Sequence, residues 1–449
     1  MNGDDKAIAD WLKQNNISQV ECLVPDITGN ARGKFVPVEQ YLKQGELRMP
    51  ESLLIQSVTG EYSNDHWDFV EPTDGDMILQ PDHATIRVVP WARKPTAQLI
   101  HSCYTMDGDP HPLSSRSVLQ RILDLYGADG LKPVVAPEVE FYLLARNTDF
   151  DCELQPPVGR SGRVQTSHSS CSIDSVLEFD AFIDDLYANA RAQQLDIETL
   201  IYESGAAQME INFLHGDAMS LADQVFTFKR TVRETAHKHG IYATFMAKPM
   251  EKEPGSAMHI HQSIVRADSG DNIFVDEKGE HNSALMSYIA GLQRYTPELI
   301  GLYAPNVNSY RRLAPDISAP INMDWGYDNR TTAFRVPHSV AAATRVENRF
   351  PGADVNPYLA FAATLASGYL GMKKQLQPSK PQLGITQERS IDLARTLEEG
   401  LRQLQSSPEV REVFGELFLR AYTAVKLNES EQFSQVVSAW EREHLLLQV

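Results

Sequence analysis

The chain has 449 residues and a net charge of −19, from 41 basic and 60 acidic side chains. That charge repels phosphate backbones, so nucleic-acid binding is not expected, and 42% apolar with 22% charged residues describes a folded protein, not a disordered one. No apolar run approaches the roughly 18–20 residues that span a bilayer, so no membrane partner is expected either.

The chain opens Met1-Asn2-Gly3-Asp4-Asp5-Lys6 and runs into an amphipathic stretch around Ile8, Trp11 and Leu12. A signal peptide needs a basic start and an apolar core, so none is expected here. Cys22, Cys103, Cys152 and Cys171 are scattered without a CxxC pair. Free thiols in a reducing compartment, the cytoplasm, are the expectation. Strand signals fall at 20–25, 86–89 and 98–104. Gly29-Asn30-Ala31-Arg32-Gly33-Lys34 approaches a P-loop, but it is one residue short and Phe35 stands where Ser or Thr belongs. A simple β-turn is the better reading. Asp107-Gly108-Asp109-Pro110-His111-Pro112 is turn-rich and marks a boundary between an N-terminal domain, 1–107, and a larger one, 108–449. Ser114 and Ser115 before Val118, Leu119, Ile122 and Leu123 predict a helix start. Further helices are expected at 182–194, 220–238, 282–303, 357–376 and 390–405. Short strands lie between them, which makes the fold class α+β.

Four of those strands carry polar residues two apart. They are Pro137-Glu138-Val139-Glu140-Phe141, Gln208-Met209-Glu210-Ile211-Asn212, Met258-His259-Ile260-His261-Gln262-Ser263 and Arg345-Val346-Glu347-Asn348-Arg349. Residues i and i+2 of a strand share a face, so the economical reading is one polar site over a common core. Glu138, Glu140, Glu203, Glu210, Glu347 and His259 supply five carboxylates and an imidazole. Such an oxygen-dominated set without thiolates suits Mg²⁺ or Mn²⁺, and two ions are needed to neutralise it. Arg312, Arg330, Arg335, Arg345 and Arg349 beside divalent cations make a polyphosphate or phosphoryl-transfer site. Singly, a Glu-x-Glu strand reads as a solvated sheet face and a His-x-His pair as structural. The His-x-His pair also opens the metal site of amidohydrolases, but His281, His338 and His444 are not placed for that fold.

The same residues resemble the glutamine synthetase family, nearly end to end. The segments that carry the resemblance are Pro137–Phe141, Glu203–Glu210, Lys248-Pro249, Gly255–Ser263, Ser309–Pro315, Asn329-Arg330 to Arg335-Val336-Pro337, and Arg345–Pro357. The resemblance implies an N-terminal β-grasp domain and a catalytic domain with an antiparallel sheet wrapped by helices. It implies stacked hexameric or pentameric rings, here a dodecamer of two hexamers, with active sites between subunits. By motif, Glu140, Glu203 and Glu210 would hold one metal, and Glu138, His259 and Glu347 the other. Gly255, Arg312 and Arg349 would bind glutamate, and Arg330 and Arg335 would grip the transferring phosphoryl group. His261, Ser263 and Arg345 fall on the nucleotide side. The implied chemistry uses ATP to phosphorylate the glutamate γ-carboxylate, after which an amine displaces phosphate.

Three departures from the ammonia-using enzymes bear on the amine. Ser318 stands where the family has a glutamate that binds and deprotonates ammonium. Gln56-Ser57-Val58-Thr59-Gly60-Glu61-Tyr62 replaces an Asp-Gly-Ser-Ser segment, and Pro254 replaces an asparagine that contacts glutamate. Loss of two carboxylates opens a small cation pocket to a substituted amine. That pattern is similar to the γ-glutamylpolyamine synthetases, as are the stretch from Pro50 to Tyr62 and the closing Trp440-Glu441-Arg442-Glu443-His444. Glu61, Asp65, Asp68 and Glu71 are either a site for the distal ammonium of a diamine or a solvated loop. An alkylammonium must lose a proton before it attacks, and Glu61 is the candidate base. The expected function is therefore an ATP-dependent glutamate–amine ligase, for putrescine or another polyamine. A monoamine ligase, an ammonia-using enzyme and a non-catalytic relative remain the alternatives.

Overall fold

The computed structural model describes residues 3–43, 46–166, 169–315, 319–385 and 388–449. Ser318 lies outside the described residues. The first sheet contains β1 (Gln19–Pro25), β2 (Ala31–Pro37), β3 (Leu47–Pro50), β4 (Asp76–Pro81), β5 (Arg87–Val88) and β6 (Thr96–Tyr104). Its order is β2-β1-β6-β4-β3, with β5 also on β6. β1 and β6 run parallel and the other pairs antiparallel.

The second sheet has nine strands among the described residues. They are β7 (Leu131–Leu144), β8 (Ile197–Tyr202), β9 (Gln208–Phe213), β10 (Gly216–Asp217), β11 (Tyr242–Thr244), β12 (Met258–Arg266), β13 (Trp325–Tyr327), β14 (Phe334–Val336) and β15 (Val346–Asn348). The order is β13-β14-β15-β12-β7-β9-β8, with β10 and β11 on β7. Among the described strands of this second sheet, only β13 and β14 pair in parallel.

One face of this sheet is apolar and buried. Val135, Val139 and Phe141 of β7, Met209, Ile211 and Phe213 of β9, Met258, Ile260 and Ile264 of β12, and Val346 of β15 all belong to the main core. The Ala218–Lys238 and Pro357–Lys373 helices pack behind them. The latter helix is buried over most of its length, as an all-round apolar helix must be. Asn356 caps its N-terminus by accepting from the amides of Tyr358 and Leu359. The same side chain donates to the carbonyls of Asp26 and Ile27, at 3.1 and 3.3 Å. The turn between β1 and β2 is thereby fastened to the central helix of the second layer. Within that turn, Asp26 Oδ1 accepts from the amides of Thr28 and Asn30, both at 2.9 Å, and Gly29 takes φ +84°. The Gly29–Lys34 segment is the end of this hairpin turn and the first half of β2, paired with β1 from Ala31 onward, and not a P-loop, as its missing residue and Phe35 predict.

The expected helices at 182–194, 220–238, 282–303 and 357–376 are present as Asp180–Ala192, Ala218–Lys238, Ser283–Tyr303 and Pro357–Lys373. The helix expected at 390–405 begins later, at Leu397. Thr396 is extended and its hydroxyl accepts from the Glu399 amide, so the cap overrides the apolar periodicity upstream. The Ser283–Tyr303 and Pro357–Lys373 helices cross where glycines let their backbones touch. A Cβ on Gly291 would lie 2.1 Å from the Ser367 carbonyl oxygen and 2.8 Å from Gly371 Cα. Backbone atoms cannot swing away, so Gly291→Ala is expected to destabilise by about 1–3 kcal/mol. A lowered melting temperature is the expected readout; an unchanged one would mean that the two helices separate freely.

Candidate active site

β14, β15, β12, β7 and β9 lie side by side, and their register gathers the polar residues of separate segments. His259 stands opposite Glu138, Glu140 opposite Glu210, and Glu347 opposite both His261 and Arg335. Directly opposed residues share a face, so these side chains crowd together on the side away from the core.

Some of the charge is met within the protein. Glu347 accepts from Arg349 Nη1 at 2.7 Å and from Arg335 Nη1 at 2.8 Å. Burial opposes its charge, yet Arg349, His261 and His259 hold its carboxyl down to about 2. Glu138 lies 2.9 Å from His261 Nε2 and 3.5 Å from His259 Nδ1; despite burial, these imidazoles keep it well below the usual carboxylate range. Elsewhere the charge is not met. Burial and then Glu203 push Glu140 up to about 8, even though it accepts from the Ala257 amide at 2.8 Å and Gln208 Nε2 at 3.1 Å. Glu210 is pushed up to about 10 by burial and the charges of Glu138, Glu140, Glu203 and Glu347. Burial, with Glu138 adding to it, also raises Glu203.

The residues fit a divalent cation. Glu138, His259 and Glu347 can bring ligand atoms within 4.8 Å of one another, and so can Glu140, Glu210 and His259. Burial and Arg349 push His259 down to about 4, so its ring is neutral at pH 7 and able to ligate. Its Nε2 is buried with no hydrogen-bond partner among the described residues, an arrangement that a ligand atom would explain. Glu203, expected beside Glu140 and Glu210, is absent from both groupings, although its charge acts on both residues.

The expected glutamate residues also meet. A Cβ on Gly255 would lie 2.6 Å from Arg312 Cγ and 2.8 Å from the Ala247 carbonyl oxygen, so the site has no room for a side chain there. Arg312 donates to the Phe350 and Arg349 carbonyls, at 2.8 and 2.9 Å. Burial lowers its guanidinium to about 10, which still leaves it charged at pH 7. Arg335 also binds Asp328 at 2.6 Å, whereas Arg330 is exposed with its charge felt by Glu203 and Asp328. His261, Ser263 and Arg345 line a cavity of about 460 Å³ with Glu138, Glu198, Asn212 and His215, and Arg345 Nε lies 3.2 Å from His261 Nδ1. Glu61 is held elsewhere in this chain: its Oε2 accepts from Gln432 Nε2 at 2.7 Å. Gln208, on one of the polar strand faces, was assigned no role from the sequence. It donates to Glu140, to the Gly255 carbonyl at 3.0 Å and to Ser256 Oγ at 3.3 Å, and the alternation Gln208, Glu210, Asn212 signals it.

The glutamine synthetase catalytic domain matches residues 112–445. The chain belongs to the glutamine synthetase family. It is 33% identical to a glutamate–isopropylamine ligase of a Pseudomonas species, over 97% of this chain and 96% of that one. It is 34% identical to the γ-glutamylputrescine synthetase PuuA of Escherichia coli K12, over 96% of this chain and 92% of that one. The fold is similar to that of GmaS without ligand, with a TM-score of 0.81 at 23% identity, over 98% of this chain and 99% of that one. The α+β fold expected from the sequence is therefore the one observed.

A raised carboxyl pKa destabilises the folded state once pH passes the unfolded value. For Glu140 and Glu210 the ordinary value is 4.5 and the folded values are about 8 and about 10. Between these limits the folded chain holds protons that the unfolded chain has released, so metal-free stability falls as pH rises. Glu138 and Glu347 stay ionised throughout that window. A divalent cation bound among these carboxylates would displace the extra protons, and Mg²⁺ should then raise the melting temperature more at about pH 8.5 than at about pH 6. An equal increment at both pH values would contradict the placement of the ion among these carboxylates.

Proposed function

We propose that this chain is an ATP-dependent ligase that joins the γ-carboxyl of glutamate to an amine, with putrescine or another polyamine as the amine. The observation that carries the reading is the sheet face itself. Ionised Glu347 and Glu138 stand beside repelled Glu140 and Glu210, with Arg335 and Arg349 bound directly to Glu347. The similarity to two proteins named as amine-to-glutamate ligases supports the substrate class. The name of the Pseudomonas relative favours a second reading, a monoamine ligase of the same mechanism.

In this reading Glu138, His259 and Glu347 hold one Mg²⁺ or Mn²⁺, and Glu140, Glu210 and Glu203 hold another. Bound divalent cations would neutralise charge on the phosphate oxygens and polarise the γ-phosphoryl group. Arg312, Arg349 and the side-chain-free position at Gly255 receive glutamate. His261, Ser263 and Arg345 receive the nucleotide in the cavity they line. A γ-carboxylate oxygen attacks the γ-phosphorus of ATP, and ADP leaves. Carboxylate oxygen is a poor leaving group, and phosphorylation makes it a good one. The alkylammonium first gives a proton to Glu61, which in this reading reaches a neighbouring subunit's site. The neutral amine nitrogen then attacks the acyl carbon, the carbon–oxygen bond breaks, phosphate leaves, and the nitrogen gives its second proton to the departing phosphate. Arg330 and Arg335 face the charge that builds on the phosphoryl oxygens. We also infer a division at 107/108 into an N-terminal and a catalytic domain, a dodecamer of two hexameric rings, and a cytoplasmic location. The scattered cysteines, free wherever described, support the last.

Phosphate release from ATP with glutamate, Mg²⁺ and a panel of ammonium, putrescine, spermidine, ethanolamine and isopropylamine tests the reading. Turnover with diamines and not with ammonium is expected. Preference for ethanolamine or isopropylamine would select the monoamine reading, and ammonium alone would overturn both. In the same assay Arg335→Ala should lower kcat by about 10²–10³, the usual loss for one transition-state donor, with little change in the KM for glutamate.

A further inference from the structure

The loop that carries Glu61 is a compact turn. The Ser57 amide donates to the Glu61 carbonyl at 2.9 Å, the Gly60 amide to the Ser57 carbonyl at 3.0 Å, and the Glu61 amide to Ser57 Oγ at 3.1 Å. Two contacts fasten this turn to the Glu416–Ser434 helix. The Val58 amide donates to Glu429 Oε1 at 2.8 Å, and Gln432 Nε2 donates to Glu61 Oε2 at 2.7 Å. Glu429 is itself paired with Lys426 at 2.8 Å, and the two side chains are 8% and 2% exposed. Lys426, Glu429 and Gln432 are spaced by three residues, so they follow one another along a stripe of the helix.

The stripe continues toward the glutamate residues. Lys426 Nζ donates to Asn306 Oδ1 at 3.3 Å, and Asn306 Nδ2 donates to Asp354 Oδ2 at 2.8 Å. Ser309 Oγ donates to the same carboxylate oxygen at 2.6 Å. Ser309 begins the short Ser309–Arg312 helix, and Arg312 is bound to the Phe350 and Arg349 carbonyls. An unbroken chain of hydrogen bonds and covalent backbone therefore runs from the Glu61 turn to Arg312. Stability alone is a poor account of such a device, because replacing a buried ion pair with apolar residues is often neutral or stabilising.

We propose that Lys426, Glu429 and Gln432 are positioning residues for the amine: they set in place the Glu61 turn that faces the neighbouring subunit's site, and anchor it on the same chain's Asn306, Asp354 and Ser309–Arg312 helix. The inference rests on the reading that Glu61 meets the amine. Gln432 acts through the Glu61 carboxylate, Glu429 through the turn's backbone, and Lys426 by fixing the Glu429 carboxylate and joining it to Asn306. None of the three lines the cavity proposed for the nucleotide, so the effect of changing them should be confined to the amine.

The test is steady-state kinetics on the full-length protein, with the best amine from the panel above. The variants are Gln432→Ala, Glu429→Gln, Glu61→Gln, Glu61→Gln with Gln432→Ala, and Lys426→Met with Glu429→Met. Gln432→Ala and Glu429→Gln should each lower kcat/KM for the amine about tenfold, with KM for ATP and glutamate within about twofold of the native values. The Glu61→Gln, Gln432→Ala double variant should be no worse than Glu61→Gln alone, since Gln432 acts through Glu61. The apolar double variant should keep the melting temperature and still lose amine efficiency. Unchanged kcat/KM for the amine in Gln432→Ala and Glu429→Gln would overturn the proposal. A fall in all three substrates' kcat/KM together with the melting temperature, or full additivity of Gln432→Ala with Glu61→Gln, would also overturn it. If native protein turns over ammonium alone, the amine reading falls and this inference with it, a result visible in the native control before any variant is made.

Discussion

The site depends on like charges held together against their repulsion. Glu140 and Glu210 are opposed in register on adjacent strands, with Glu138, Glu203 and Glu347 all acting on Glu210. In water such a cluster would drift apart; on a sheet it cannot, because every strand is fixed by its ladder and by the apolar face behind it. That apolar face continues through β7, β9, β12 and β15 into two packed helices. Core burial is what holds the carboxylates in place. The protein offsets only part of the charge, through Arg335 and Arg349 on Glu347 and the imidazoles of His259 and His261 against Glu138, and leaves Glu140 and Glu210 with raised carboxyls, the pair proposed to take up a cation.

The same compromise explains the backbone around the site. Gly255 has no side chain because Arg312 occupies the space. Gln208 reaches across to Glu140, the Gly255 carbonyl and Ser256, so one amide group sets a carboxylate and the adjoining turn together. Asn356 has a comparable role at longer range, capping the central helix while binding the turn between β1 and β2. The position of the N-terminal strands relative to the catalytic sheet is thus written into a helix cap.

Much of this was legible because strands alternate. Glu138 with Glu140, His259 with His261, and Glu347 with Arg349 share faces by spacing alone, and the structure brings these pairs onto one surface. Spacing says nothing about which strands are neighbours, so the opposition of Glu140 to Glu210 was not derivable from it. The family resemblance supplied the grouping, and with it the proposed glutamate-binding set of Gly255, Arg312 and Arg349. Other features were out of reach. The late start of the Leu397–Ser406 helix depends on one hydroxyl, that of Thr396. The attachment of the Glu61 turn to Glu429 and Gln432 joins residues 371 apart in sequence, a separation at which no local pattern operates. Ser318, on which the amine argument partly turns, lies outside the described residues.

The central claim is that the repelled carboxylates are cation ligands. The most direct measurement is anomalous diffraction at the manganese edge from crystals grown with Mn²⁺ and a non-hydrolysable ATP analogue. One ion is expected among Glu138, His259 and Glu347 and a second against Glu140 and Glu210, with Glu203 drawn toward it. No anomalous density on this face of the sheet would contradict it, and the raised carboxyls would then have to be protonated side chains with a different role.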